Sequence, residues 1–326
     1  MIKKIINWSV IIAIACAGYL YYYAHTPLAL KQVPMEFSLT AGNNLSALSK
    51  QMVSAGVLSD SVRFRILVRA LGKASKIKAG FYTLNQPVTP LQLLDKLTKG
   101  DTSLREIVFI EGWTFAQMRD ALDAQPLLKH ETKGMPVADV LRTLDVPLTS
   151  AEGWFFPAKY YIDAGSTDVS VLRRAYDTMQ QHLQAAWATR AADLPYVTPA
   201  EALIMASIVE KETAVAAERP IIAAVFLNRL RLGMRLQTDP TVIYGLGEGY
   251  DGNIHKRDLQ TDTPYNTYTR AGLPPTPIAM PGMAAITAAL HPASSDALYF
   301  VAKGDGTHYF SNNLIEHNRA VARYQK

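Results

Sequence analysis

The 326 residues carry 49% hydrophobic and 19% charged side chains, enough apolar material for a packed core and a composition that excludes global disorder. A formal charge of +5 suits an anionic polymer or a membrane surface; it is too small, with no recognition motif beside it, to indicate nucleic acid as a partner. Cys16 is the only cysteine, so the chain beyond it has no disulfide, no thiol chemistry and no thiolate-bound zinc.

Lys3 and Lys4 precede an uncharged run of 19 residues from Ile5 to Tyr23, close to the ~20 that span a bilayer. Trp8 at one end and Tyr19, Tyr21, Tyr22 and Tyr23 at the other have the character of interfacial anchors. The lysines orient the span with its N-terminus in the cytoplasm and the rest of the chain across the membrane. A cleaved secretory signal is the alternative, but signal cores run to only ~7–15 residues. A lipoprotein box at Ala13-Ile14-Ala15-Cys16 would leave a purposeless apolar tail, Ala17 to Tyr23.

After a linker from His25 to Val33, Met35 to Thr40 alternates as a strand. Leu45, Leu48 and Met52 recur at helical spacing up to Gly56. Ser59 or Asp60 caps a second helix through Phe64, Leu67 and Leu71, ended by Gly72. Lys76 to Leu84 returns to strand character, and Thr89-Pro90 opens a third helix closed by Gly100. This strand-helix-helix-strand order resembles in layout the LysM module that binds N-acetylglucosamine polymers; a generic α+β support domain is the alternative.

Leu104 to Ile110 predicts a strand, and Thr114 caps a helix after it. Residues 126–150 read as irregular, and Val171 to Ala192 as a long amphipathic helix. Thr198-Pro199-Ala200-Glu201 is a capping box with proline at the first helical position. In that helix Leu203, Ala206, Ser207 and Glu210 share a face, while Lys211 and Glu212 lie about 100° and 200° further round, free to point to water. A carboxyl on a half-buried face near a helix C-terminus is pushed toward its protonated form, which a general acid needs. On position alone, a structural glutamate paired with an arginine competes with that reading of Glu210. Glu218 opens the next helix and is expected to cap it.

Thr261 to Gly282 has almost no regular pattern, as binding loops often do, and its Tyr, Asn and Thr residues suit sugar hydroxyls and pyranose faces. A proline-stiffened structural loop is the alternative. The C-terminus predicts strands over Ala297–Ala302 and from His308 to Ser311, then a helix. His308 and His317 read as ordinary polar histidines, since neither HExxH nor any ligand spacing accompanies them, and no metal or cofactor is expected.

Six segments, Glu-Gly-Trp-Phe-Phe-Pro (152–157), Ala-Ser-Ile-Val-Glu-Lys-Glu-Thr (206–213), Leu-Gln-Thr-Asp-Pro-Thr-Val-Ile-Tyr (236–244), Tyr-Asn-Thr-Tyr (265–268), Gly-Leu-Pro-Pro (272–275) and Glu-His-Asn (316–318), resemble the YceG-like endolytic murein transglycosylases, in the family's order. One departure is Pro-Ala-Lys-Tyr at 157–160, where the family often has Pro-Asp-Thr-Tyr. The resemblance implies cleavage of the β-1,4 bond between N-acetylmuramic acid and N-acetylglucosamine within a peptidoglycan strand. It also implies a 1,6-anhydro-muramyl end, no net use of water, termination of nascent strands, and peptidoglycan synthases as partners. It assigns the catalytic acid and base to Glu210. Glu152, Gln237, Asp239, Tyr244, Tyr265, Asn266 and Tyr268 are the expected substrate-binding set. A non-catalytic peptidoglycan-binding or division-scaffold protein remains an alternative, as does a hydrolytic muramidase using Glu152 or Asp239 as its second carboxylate.

The expected architecture is therefore α+β. It comprises a cytoplasmic tip and single transmembrane helix over 1–24, a LysM-like α+β subdomain over 33–106, and a mixed α+β catalytic domain over 107–326. The expected location is the cell inner membrane, with the catalytic domain periplasmic.

Overall fold

The computed structural model describes residues 2–40, 42–103 and 105–325; the side chains of residues 2–7 and 9, Lys3 and Lys4 among them, lie outside that description. Two compact units emerge. The smaller comprises Met1–Glu106, Pro126–Lys129 and Tyr161–Thr167, and the larger Ile107–Gln125, His130–Tyr160 and Asp168–Lys326.

In the smaller unit, α1 (Ile2–His25) is followed by β1 (Met35–Leu39), α2 (Leu45–Ser54), α3 (Ser61–Ala70), β2 (Gly80–Leu84) and α4 (Pro90–Lys99). Among the described residues no helix is long and apolar enough to cross a membrane. β1 and β2 pair antiparallel, from Met35 opposite Leu84 to Leu39 opposite Gly80. Alternation along β1 sends Met35, Phe37 and Leu39 inward, where they meet Leu48, Met52, Phe64, Leu93, Leu94 and Leu97. The helix starts follow local chemistry. The Asp60 carboxylate accepts from the Val62 and Arg63 amides, and Thr89 forms a complete capping box with Gln92. Gly100 ends α4 in the left-handed region, at φ 74°.

The chain leaves this unit through β3 (Arg105–Val108), shorter than the expected 104–110; Leu104 lies outside the described residues. Then come α5 (Phe115–Asp123), α6 (Val137–Thr143), β4 (Lys159–Ile162), α7 (Asp168–Ala188), α8 (Pro199–Glu212), α9 (Arg219–Arg231), α10 (Asp239–Leu246), α11 (Lys256–Gln260), α12 (Met283–Leu290), β5 (Tyr299–Ala302), β6 (His308–Ser311) and α13 (Leu314–Tyr324). β3 pairs with β4, and β5 with β6. The stretch expected to be irregular, 126–150, contains α6, seated on buried Val140 and Leu141. The core of this unit packs α7, α8, α9 and α12 together through Met179, Leu203, Phe226, Ile286 and their neighbours.

The long helix α7 begins at Asp168, earlier than its apolar spacing suggests, because Asp168 is a tie point. The side chain is fully buried. Its carboxylate accepts from the amides of Glu131 (2.9 Å), Thr132 (2.8 Å) and Val169 (2.8 Å), and from the Thr132 hydroxyl (2.7 Å). Burial pushes the carboxyl up, but the four donors outweigh it and hold the group below the usual carboxylate range. Asp168→Ala strands the buried Thr132 amide and two half-buried amides, and is expected to cost about 3 kcal/mol at pH 7. A depressed carboxyl stabilises above its ordinary value and loses that contribution as pH falls through its folded value. Denaturant titrations at pH 7 and pH 3 should therefore show wild type and variant converging at the acid end.

Candidate active site

Helix α8 is buried on every side over Ala202–Val209. The Thr198 box fixes its start, with the Glu201 side chain returning to the Thr198 amide. The face bearing Leu203, Ala206, Ser207 and Glu210 does form, but it meets protein. The Ile278 amide donates to Ser207 Oγ at 3.0 Å. One turn on, the Gly282 amide at the start of α12 donates to Glu210 Oε2 at 2.9 Å, and Arg219 Nη2 donates to Oε1 at 3.2 Å. The Glu210 side chain is 5% exposed. Burial raises its pKa, while the Gly282 amide and the Arg219 guanidinium pull it back. Both oxygens are thus engaged by protein donors, in the arginine-paired arrangement that the sequence allowed. Glu111, which no sequence signal singled out, lies on the other side of Gly282. A Cβ at Gly282 would fall 1.8 Å from Glu111 Oε1, so only glycine fits between the carboxylates.

Glu212 does not point to bulk water. It lines a cleft of about 570 Å³ with Arg229, Gln237, Asp239, Tyr268, Tyr299, Phe300, His308, His317 and Asn318. Thr238 Oγ1 donates to Glu212 Oε1. Burial pushes the Glu212 carboxyl up to about 7; the Thr238 hydroxyl opposes the shift, Asp239 adds to it, and His308 and Arg229 oppose it more weakly. Arg229 is itself buried, donating to the Leu298 and Leu236 carbonyls at 2.7 and 2.8 Å, with its guanidinium over the Tyr299 ring. Glu218, expected to cap α9, makes no cap; it accepts from the His308 amide at 2.8 Å and contacts His308 Nδ1 at 2.7 Å. Among the described residues no cluster of three or more His, Cys, Asp or Glu side chains has the geometry to hold a metal.

The expected substrate-binding residues divide. Gln237, Asp239 and Tyr268 line the Glu212 cleft, with the Tyr268 hydroxyl donating to Asp239 Oδ1 at 2.5 Å. Glu152, Tyr244 and Tyr265 form a separate buried chain. The Tyr244 hydroxyl donates to Glu152 Oε2 at 3.1 Å, the two tyrosine rings meet at 4.8 Å, and the Tyr265 hydroxyl reaches Thr276 at 2.9 Å. The Phe115 amide donates to Glu152 Oε1 at 3.0 Å. Gly153 follows at φ 84°, where a Cβ would strike Pro277 at 2.4 Å. Asn266 is a correction to the sugar-contact reading. It is 1% exposed, and its amide nitrogen donates to the carbonyls of Asp258, Leu259 and Thr261, while its oxygen accepts from the Tyr268 amide. Its work is to shape the loop that presents Tyr268.

Burial pushes the Glu152 carboxyl up to about 7, against the Phe115 amide and the Tyr244 hydroxyl. A raised carboxyl binds its proton more tightly in the folded state, so stability falls as pH rises from the ordinary glutamate value through the folded one, roughly pH 4.5 to 7. Glu212 adds a fall of the same sign. Glu152→Gln is expected to recover on the order of 2 kcal/mol at pH 8 relative to pH 5. Thermal midpoints at the two pH values would refute this if the variant fell as far as wild type.

Comparison with known proteins follows the same lines. The sequence matches the YceG-like family over residues 37–323. It is 34% identical over 312 residues to the endolytic murein transglycosylase of Bacillus subtilis, covering 89% of this chain and 84% of that protein. It is 29% identical over 359 residues to the endolytic murein transglycosylase of Streptococcus pneumoniae, covering 98% of this chain but 65% of the longer relative. The crystal structure of a YceG-like protein from Listeria monocytogenes superposes with a TM-score of 0.57 at 32% identity, over 87% of this chain and 97% of that one. The chain belongs to the YceG-like family.

Proposed function

We propose that this protein is an endolytic murein transglycosylase, cutting the β-1,4 bond between N-acetylmuramic acid and N-acetylglucosamine inside a peptidoglycan strand, with Glu212 as its acid and base. The observation that carries the reading is the Glu212 carboxyl, pushed up to about 7 on the wall of a polar and aromatic cleft. A group near that value is available as acid and as conjugate base at neutral pH. It protonates the leaving oxygen, and the muramyl 6-hydroxyl attacks C1 and closes a 1,6-anhydro ring. The nucleophile belongs to the substrate, so one protein carboxyl is enough, whereas ordinary glycoside hydrolysis uses two. The names of the Bacillus and Streptococcus relatives support the reaction. Glu210 accepts from Arg219 and from Gly282 with one oxygen each, and its role in this reading is to lock α8 to α12.

A hydrolytic muramidase is the second reading, because Asp239 shares the cleft with Glu212. In our proposal the substrate partner is the glycan strand, bound by Gln237, Asp239 and Tyr268. The smaller unit is a LysM-like module, a reading supported by its strand-helix-helix-strand order with antiparallel strands. α1 is the single inner-membrane anchor, its N-terminus cytoplasmic and the rest periplasmic. Its 24 residues reach about 36 Å, and Trp8, Ile11, Ile12 and Ile14 are all exposed. Ile5 and Ile6, which extend the apolar run, lie outside the described side chains. Synthases that build the strand are the partners that this location and product imply.

Glu212→Gln keeps the shape and the Thr238 contact but can neither give nor take the proton, and turnover should fall ~10²–10⁴-fold. Glu210→Gln should keep turnover within tenfold yet lose about 3 kcal/mol of stability, because Arg219 is left without its counter-charge. Mass spectrometry of sacculi digested by each variant, beside its thermal midpoint, decides the assignment. A dead Glu210→Gln of normal midpoint with a live Glu212→Gln would return the catalytic role to Glu210. Reducing muramyl ends in the wild-type digest would establish the muramidase.

A further inference from the structure

His308 stands in the cleft in an arrangement that the single-carboxyl mechanism does not use. It opens β6 and lines the same cavity as Glu212. Glu218 grips it twice, taking the backbone amide at 2.8 Å on one oxygen and meeting Nδ1 at 2.7 Å with the other. Both side chains of this pair are 13% exposed. A carboxylate only accepts, so the contact places a proton on Nδ1 and leaves Nε2 as the variable position. Among the described residues Nε2 has no hydrogen-bond partner. Phe300 packs edge-on to the ring at 5.4 Å and Phe310 lies beyond it at 6.4 Å, so ring rotation is confined as well. An imidazole oriented by a buried acid, in a cleft that a second acid also lines, is how proton transfer is organised when two groups share it. The other titratable groups on the cleft wall are Glu212, Arg229, Asp239, Tyr268, Tyr299 and His317.

We infer that His308, oriented by Glu218, is a second catalytic residue, whose Nε2 takes the proton of the attacking sugar hydroxyl while Glu212 protonates the leaving oxygen. The inference rests on the Glu212 reading and divides its two tasks between two side chains. The hydroxyl oxygen bonds to C1 as the C1–O bond to the departing sugar breaks. The Glu212 proton completes the new 4-hydroxyl, and the hydroxyl's own proton moves to Nε2. The enzyme is left with carboxylate and imidazolium, and one proton passed from His308 to Glu212, directly or through solvent, restores both. No water is consumed, and no other reactant is needed. Glu218 touches neither sugar, and its part is positioning.

The experiment measures kcat and KM against pH for the full-length protein in detergent on uncrosslinked glycan strands, with anhydro-muramyl ends as readout. Wild type should lose turnover on the alkaline side as Glu212 gives up its proton. His308→Gln should lower kcat by about 10²-fold with KM held and the alkaline limb kept. Glu218→Gln, which leaves the imidazole in place, should lower kcat with KM held. His308→Gln within threefold of wild type, beside an inactive Glu212→Gln, overturns the division of labour and leaves the Glu212 reading standing. An active Glu212→Gln overturns that reading instead. Should His308→Gln fail to fold, a Glu218→Gln with normal kcat overturns the inference.

Discussion

The complete burial of α8 is the constraint on which the site depends. Ala202–Val209 are enclosed on all sides, so the helix can neither rotate nor slide without opening the core of the larger unit. Its fixed rotation sends residues two apart to opposite destinations. Ser207 and Glu210 become pegs for the backbone at Ile278 and Gly282, joining α8 to the start of α12. Glu212, roughly 200° round from Glu210, is delivered to the cleft wall. A helix with one solvated face would have offered Glu212 to water, where its carboxyl would keep an ordinary pKa.

Among the acids that the larger unit removes from bulk water, four show how environment separates their chemistry. Asp168 receives four hydrogen bonds and stays ionised. Glu210 receives an amide and a guanidinium, which oppose its burial without cancelling it, so its carboxyl too stays above its ordinary value. Glu152 and Glu212 have too few donors to offset burial, and both rise to about 7. Of those two, Glu152 is sealed beneath Tyr244 and the Phe115 amide, whereas Glu212 opens on space. Each pKa unit is worth about 1.4 kcal/mol, so holding a carboxyl at 7 costs stability that a binding or catalytic site can justify and an ordinary surface residue cannot.

The cleft is assembled from distant parts of the chain: the end of α8, Arg229 from α9, Asp239 from α10, Tyr268 from the irregular loop, His308 from β6 and His317 from α13. What holds these parts is mostly backbone satisfaction. Arg229 spends its guanidinium on the Leu236 and Leu298 carbonyls, tying the approach to α10 to that of β5. Asn266 spends its amide on two carbonyls of α11 and on that of Thr261, so that Tyr268 can reach Asp239. Buried polar groups used in this way specify one arrangement, because any other leaves them unpaired.

The sequence by itself determined the local events. Caps at Asp60, Thr89, Thr114 and Thr198 were legible because each is a hydrogen bond within three residues of its own backbone. The family resemblance was legible as well, since six short segments hold their order along the chain. α12 was not, because Met-Ala-Ala-Ile-Thr-Ala-Ala-Leu is almost uniformly apolar and shows no face. β4, four residues long, makes sense only beside β3. The surroundings of Glu210 and Glu212 also lay beyond the sequence. Periodicity correctly grouped Glu210 with Leu203, Ala206 and Ser207, but it cannot say whether a face meets protein, ligand or water. Only the tertiary structure decided that, by bringing Arg219 and Gly282 to one carboxylate and leaving the other open on the cleft. Desolvation and pairing depend on atoms that lie far along the chain and near in space.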